Sequence, residues 1–146
     1  MEFKKILVAY DGSKDSNKAV EAACALSKGK ASVTLLHVSA MPTMAYAGAA
    51  GLEQSTVGLL NEGAKKTAEA VVKEGLDRAA RNGVKATGEA IDGTSVVEAI
   101  VTYASSEKFD LIVIGTRGNT GFKRLLVGSV SSGVLNHAHC PVLLVR

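Results

Sequence analysis

Residues 111–131 read LIVIGTRGNTGFKRLLVGSVS. The run from Leu111 to Ile114 is short and wholly apolar, the pattern of a strand buried on both faces at the centre of a parallel sheet. Residues 116–127 are rich in glycine and polar side chains and read as a loop. Gly128 then opens a helix expected over about 129–138. Strand, glycine-bearing loop and helix in that order make most of a βαβ unit.

The chain upstream repeats the same alternation. Residues 5–10 form an apolar run that predicts the first strand, and Asp11-Gly12-Ser13 is turn chemistry. A helix is expected over about 15–28, with Ala19, Ala22, Ala23 and Leu26 on its buried face and Gly29 ending it. Residues 32–38 are rich in β-branched side chains and predict the second strand. Residues 39–54 are irregular, with Pro42, Gly48 and Gly51, and a loop of that length in a compact domain is usually functional or mobile. A long helix is expected over 55–82, its buried stripe formed by Ala64, Ala68, Val71, Val72, Leu76 and Ala79. Residues 85–91 predict a weak third strand at a sheet edge. Thr94 is placed to cap a third helix with Val97, Ile100, Val101 and Ala104 inward. Downstream of the quoted stretch, Pro141 leads into a final strand, Val142–Val145.

This β-α-β-α-β-α-β-α-β order predicts one α/β domain over residues 1–146, an open parallel five-stranded sheet with helices on both faces. Right-handed crossovers favour the strand order 3-2-1-4-5. Composition agrees: 146 residues, 47% hydrophobic and 21% charged, describe a globular chain. The net charge is only +3, aromatics are 4% and Trp is absent, which argues against a nucleic-acid binder. The two cysteines, Cys24 and Cys140, form no C-x-x-C pair and imply no disulfide framework. The N-terminal apolar run is too short for a signal peptide or a membrane span, so a cytoplasmic protein with no membrane partner is expected.

Open α/β sheets bind ligands at the carboxyl ends of strands where the winding reverses. In this order the reversal lies between strand one, ending at Asp11, and strand four, ending at Gly115. The free amides of Ser129, Val130 and Ser131 at a helix start favour an anion, and glycines let a backbone approach phosphates or adopt positive φ. Arg117, Lys123 and Arg124 could supply counter-charge. The alternative is a glycine-rich turn with ordinary helix capping. Neither G-x-x-x-x-G-K-[ST] nor a G-x-G-x-x-G after the first strand occurs, which disfavours a P-loop ATPase and a dinucleotide fold.

The spacing Gly115-x2-Gly118-x9-Gly128-Ser129 resembles the ATP-binding signature of the universal stress protein family. The resemblance extends to Ile6-Leu7-Val8-Ala9-Tyr10-Asp11-Gly12-Ser13 and to Cys140-Pro141-Val142-Leu143-Leu144-Val145, and so covers nearly the whole chain. It implies a Rossmann-like fold that binds ATP, or ADP or another adenine nucleotide, with Mg²⁺ or Mn²⁺ at the phosphates. In it Asp11 would hold the adenosine or support a metal through water, and Val38 would contact adenine through its backbone. Ala9, Tyr10 and Ile114 would line the same pocket. Gly115, Arg117 and Gly118 would wrap ribose and phosphates, and Gly128, Ser129, Val130 and Ser131 would bind the phosphates. No protein side chain is expected to ligate a metal directly.

Other readings stay open. Asp11 can equally cap the following helix. His137, His139 and Cys140 are types that bind zinc, but their spacing suits no shared helical face, and helix-end polar residues are the plainer reading. His37 reads as a packed or surface histidine, and Cys24 as core. No nucleophile with its base can be assembled, so no catalytic residue is assigned. The leading expectation is a nucleotide-dependent regulatory, stress-response homodimer, pairing through Val142–Val145 as the resemblance implies, with protein partners unnamed. The alternatives are a slow metal-dependent ATPase or phosphotransferase, and an interaction module with a vestigial pocket.

Overall fold

A computed structural model describes residues 1–40, 51–117 and 127–146. The elements are β1 Lys5–Ala9, α1 Lys14–Ser27, β2 Ser32–Ala40, α2 Gln54–Arg81, β3 Thr87–Gly93, α3 Val96–Ser106, β4 Leu111–Gly115, α4 Ser129–His137 and β5 Val142–Val145. The sheet order is β3-β2-β1-β4-β5, as expected from the sequence, and every pairing is parallel. Register runs Ile6↔Val33 and Ile6↔Leu111 on the two sides of β1, so β1 is central and buried on both faces.

Alternation along β1 divides the core in two. Ile6, Val8 and Tyr10 pack with Val33, Leu35, Val113 and the α1 residues Ala19, Val20, Ala23 and Cys24, under α1 and α2. Leu7 and Ala9 pack with Leu36, Ile112, Ile114, Ile100, Ala104 and Val134, under α3 and α4.

Local chemistry sets most element ends. Ser13 caps α1, its Oγ accepting the Ser16 amide at 3.3 Å, and Lys28 closes it in the left-handed region. α3 is capped by Ser95, not Thr94: the Ser95 Oγ accepts the Glu98 amide at 3.2 Å. Ser95-x-x-Glu98 has capping-box spacing, which Thr94 lacks. β2 and β3 run to Ala40 and Gly93, past the ends expected from composition, because they pair with each other as far as those residues.

The buried face of α1 lies about one residue round from the expected one. Ala19, Val20, Ala23, Cys24 and Ser27 are buried, while Leu26 is 40% exposed. An alanine-rich helix offers two nearly equivalent apolar stripes, and the buried Ser27 is accommodated because its hydroxyl donates to the Cys24 carbonyl at 2.8 Å. In α2 the stripe is Ala68, Val72, Gly75 and Ala79, with Val71 and Leu76 half-buried. Ala64 is exposed, and no residue of 54–67 is buried.

The α3–α4 layer depends on a close approach. A Cβ on Gly133 would lie 2.7 Å and 2.9 Å from the two γ-methyls of Val97. Alanine normally stabilises a helix interior over glycine by about 1 kcal/mol. Here Gly133→Ala is expected to destabilise, by about 1–3 kcal/mol, because the β-branched Val97 has no other rotamer to adopt easily. Urea denaturation checks it, and the double variant Gly133→Ala/Val97→Ala should recover much of the loss.

Candidate functional site

A cleft of about 290 Å³ opens where β1 and β4 diverge. Its lining includes Ala9, Tyr10, Asp11, Val38, Ile114, Gly115, Arg117, Gly128, Ser129, Val130 and Ser131. Eleven of the twelve residues singled out from the sequence therefore meet in one crevice. The twelfth, Gly118, lies outside the described residues, as do Lys123, Arg124 and most of the 39–54 loop. The structure adds Ser13, Ser16, Leu36, His37, Val96, Ile100 and Thr116 to the lining.

One side of the cleft is apolar: Ala9, Leu36, Val38, Val96, Ile100 and Ile114. The other is polar and is built from two helix starts. At α1, Gly12 takes φ +79°, the left-handed turn that favours glycine. It lets the Asp11 Oδ1 accept the Ser13 amide at 2.9 Å. At α4 the Ncap is Gly128, which has no side chain to occupy the first-turn amides. Those amides and the positive end of the helix dipole face the cleft beside Ser129 and Val130.

Thr116, expected from the sequence to begin a loop, joins the two helix starts. It is 5% exposed. Its amide donates to the Val145 carbonyl at 2.8 Å, and its hydroxyl donates to the Asp15 Oδ2 at 3.1 Å. Its carbonyl accepts the Gly128 amide and, at 3.1 Å, the Ser131 hydroxyl. The Ser131 proton is shared with the Gly128 carbonyl, also at 3.1 Å, so this buried hydroxyl is a fold contact and not a donor to the cleft. Asp15 also accepts the Arg117 amide at 3.2 Å, which takes that amide away from any ligand.

Gly115 and Gly128 also have a packing reason to be glycine. A Cβ on Gly115 would lie 2.8 Å from the Asp15 Cβ and main-chain carbon, and one on Gly128 would lie 2.9 Å from the Thr116 carbonyl oxygen. Neither has a positive φ. Both are required by backbone packing behind the cleft.

Tyr10 turns its ring away from the cleft, where its hydroxyl donates to the Asn17 Oδ1 at 2.7 Å. Only its main chain lines the site. The Tyr10 amide donates to the Leu36 carbonyl, and His37 Nδ1 donates to the Tyr10 carbonyl, both at 2.9 Å. A carbonyl only accepts, so Nδ1 carries the proton. Nothing local marks His37 for this role; it follows from β1–β2 register. His137 makes a similar bond to the Gly133 carbonyl of its own helix at 2.9 Å. Among the described residues no three His, Cys, Asp or Glu side chains gather in a metal-binding group.

The chain matches the universal stress protein family over residues 2–146. This chain belongs to the universal stress protein family. Universal stress protein YxiE of Bacillus subtilis is 34% identical over 99% of each chain. A universal stress protein of Methanocaldococcus jannaschii is 36% identical over 99% of this chain and 82% of its own. Among solved structures, the universal stress protein UspA of Lactobacillus plantarum superposes with a TM-score of 0.80 at 26% identity, covering 100% of this chain and 99% of its own. A universal stress protein in complex with cAMP gives 0.69 at 24% identity over 100% and 98%. The Archaeoglobus fulgidus protein in complex with dAMP gives 0.67 at 18% identity over 100% of both chains. These last two establish a shared fold.

Burial under α1 and α2 raises the Tyr10 phenol above its ordinary value of 10.0; Glu74 adds to this, and Arg78 opposes it. A raised folded-state pKa contributes stability that is complete below the unfolded value and is lost as pH rises through the folded one. Stability of this universal stress protein should therefore fall above about pH 10 partly through Tyr10. Tyr10→Phe should cost about 1 kcal/mol at neutral pH and flatten that alkaline loss, as measured by denaturation between pH 8 and 11.

Proposed function

We propose that this universal stress protein binds ATP, or a related adenine nucleotide, in the cleft between β1 and β4 and acts as a nucleotide-dependent regulatory homodimer in the stress response. The observation that carries the reading is the division of the cleft. An apolar wall over Ala9, Val38 and Ile114 suits a purine, and it faces the uncapped start of α4, which suits phosphate. The family membership and the cAMP and dAMP complexes of relatives with the same fold support it. Adenine would lie against the Val38 main chain, with Asp11 near the ribose and the amides of Ser129, Val130 and Ser131 at the phosphates.

Among the described lining residues Asp11 is the one carboxylate. A Mg²⁺ or Mn²⁺ ion arriving with ATP would thus be held chiefly by phosphate and water, where it would supply counter-charge. The residues of the cleft bind and orient; among the described lining residues no nucleophile–base hydrogen bond is formed. No described helix is long and apolar enough to cross a membrane.

The test is to denature freshly purified protein and identify any released nucleotide by chromatography and mass, then to titrate ATP into stripped protein. Gly128→Ala is a poor control, because its Cβ would collide with the Thr116 carbonyl. Ser129→Asp is better. Ser129 is exposed at the first turn of α4, where a carboxylate favours the helix yet repels phosphate. It should leave the melting temperature unchanged or higher and weaken ATP binding about tenfold. Unchanged ATP affinity would remove α4 from the site. Release of mainly ADP would favour the slow ATPase alternative, and no adenine nucleotide at all would leave an interaction module.

The homodimer is proposed through β5. Pro141 and Val145 give their carbonyls to β4, so by strand alternation the Val142 and Leu144 amides face the open edge. Leu144→Pro removes one of those donors while sparing the β4 ladder. Sedimentation should show the wild type as a dimer and this variant shifted to monomer.

A further inference from the structure

The Asp15 carboxylate stands directly behind the phosphate side of the cleft and lines none of it. Its side chain is 8% exposed, and its Oδ2 lies 3.6 Å from the Arg117 Nε, whose side chain is 44% exposed. The same oxygen accepts the Thr116 hydroxyl and the Arg117 amide. Arg117 is the one lysine or arginine among the described lining residues.

The two hydrogen bonds do not need a charge. An asparagine Oδ1 would accept both, since a carbonyl oxygen has two lone pairs. What the carboxylate adds is a negative charge on the guanidinium from the buried side, where water screens it little. That charge falls on Arg117, the cation that the described lining offers an incoming phosphate. Among the described residues, the Arg117 guanidinium thus has the buried Asp15 carboxylate directly behind it.

We infer that Asp15 is a specificity-determining residue that holds down the site's preference for phosphate charge. This rests on the adenine-nucleotide reading. Affinity is then carried by the adenosine half of the ligand, and each added phosphate strengthens binding only weakly. Such a site distinguishes adenine nucleotides poorly by phosphate number and responds to their total.

Isothermal titration of stripped wild type, Asp15→Asn and Asp15→Ser with adenosine, AMP and ATP tests this. Adenosine affinity should agree within about twofold across the three proteins, while ATP should tighten about three- to tenfold in both variants, with AMP between. Two neutral side chains of different shape giving the same change in the ATP-to-adenosine ratio identify charge as the cause. Parallel changes for adenosine and ATP would overturn the inference and leave Asp15 a purely structural tie. Selective weakening of ATP would also overturn it, since Asp15 would then be holding Arg117 in place for the phosphates. Both of these outcomes leave the nucleotide reading intact. Wild type that binds neither adenosine nor ATP would overturn both.

Discussion

At the end of β4 the backbone of Gly115 passes so close to α1 that no side chain fits between them, and the next residue, Thr116, has every polar group bonded. This contact joins the starts of α1 and α4 across the sheet. Through Asp15 the end of β4 is held to α1, and through the Thr116 carbonyl it is held to Gly128 and Ser131. The cleft exists because the two helix starts are fixed to the same strand end, on either side of the point where the winding reverses.

Burying Asp15 is costly unless its charge is met by donors. Here it receives a hydroxyl, an amide and a guanidinium, and it sits in the first turn of α1, where the helix dipole favours it. A carboxylate so placed rigidifies the strand end. It also brings negative charge to the back of a pocket whose open side presents helix amides. The described part of the site is consequently less cationic than Arg117 and the helix termini suggest when counted alone.

The opposite wall has a different origin. β1 and β2 are tied beyond their last ladder bonds by the Tyr10 amide and by His37, so the main chain around Tyr10 and Val38 is fixed at the cleft edge. The Tyr10 ring meanwhile anchors the other face of the sheet through Asn17. One residue thus offers its backbone to the cleft and its side chain to the core.

The sequence by itself determined the element order, the parallel sheet and the crevice between β1 and β4. Apolar runs of four to six residues bounded by turn residues fit doubly buried strands, and alternation with helices admits few topologies. Asp11, Gly115, Arg117, Gly128, Ser129, Val130 and Ser131 were legible in turn and glycine chemistry at strand ends, which is local, whereas Ala9, Tyr10, Val38 and Ile114 came from the family resemblance. Several things were decided only by the tertiary structure. The α1 stripe passes through Val20 and Cys24 and not Leu26, since a mainly alanine helix has no strong preference of face. The reason for Gly115 and Gly128 lies in which backbone packs against them, a contact with α1 in one case and with Thr116 in the other. Asp15, Thr116 and His37 gained their roles from partners on other elements, up to 102 residues away in the chain. A hydrogen bond over that distance leaves no periodicity in the sequence, because it depends on register between elements that fold onto each other and not on the spacing within any one of them.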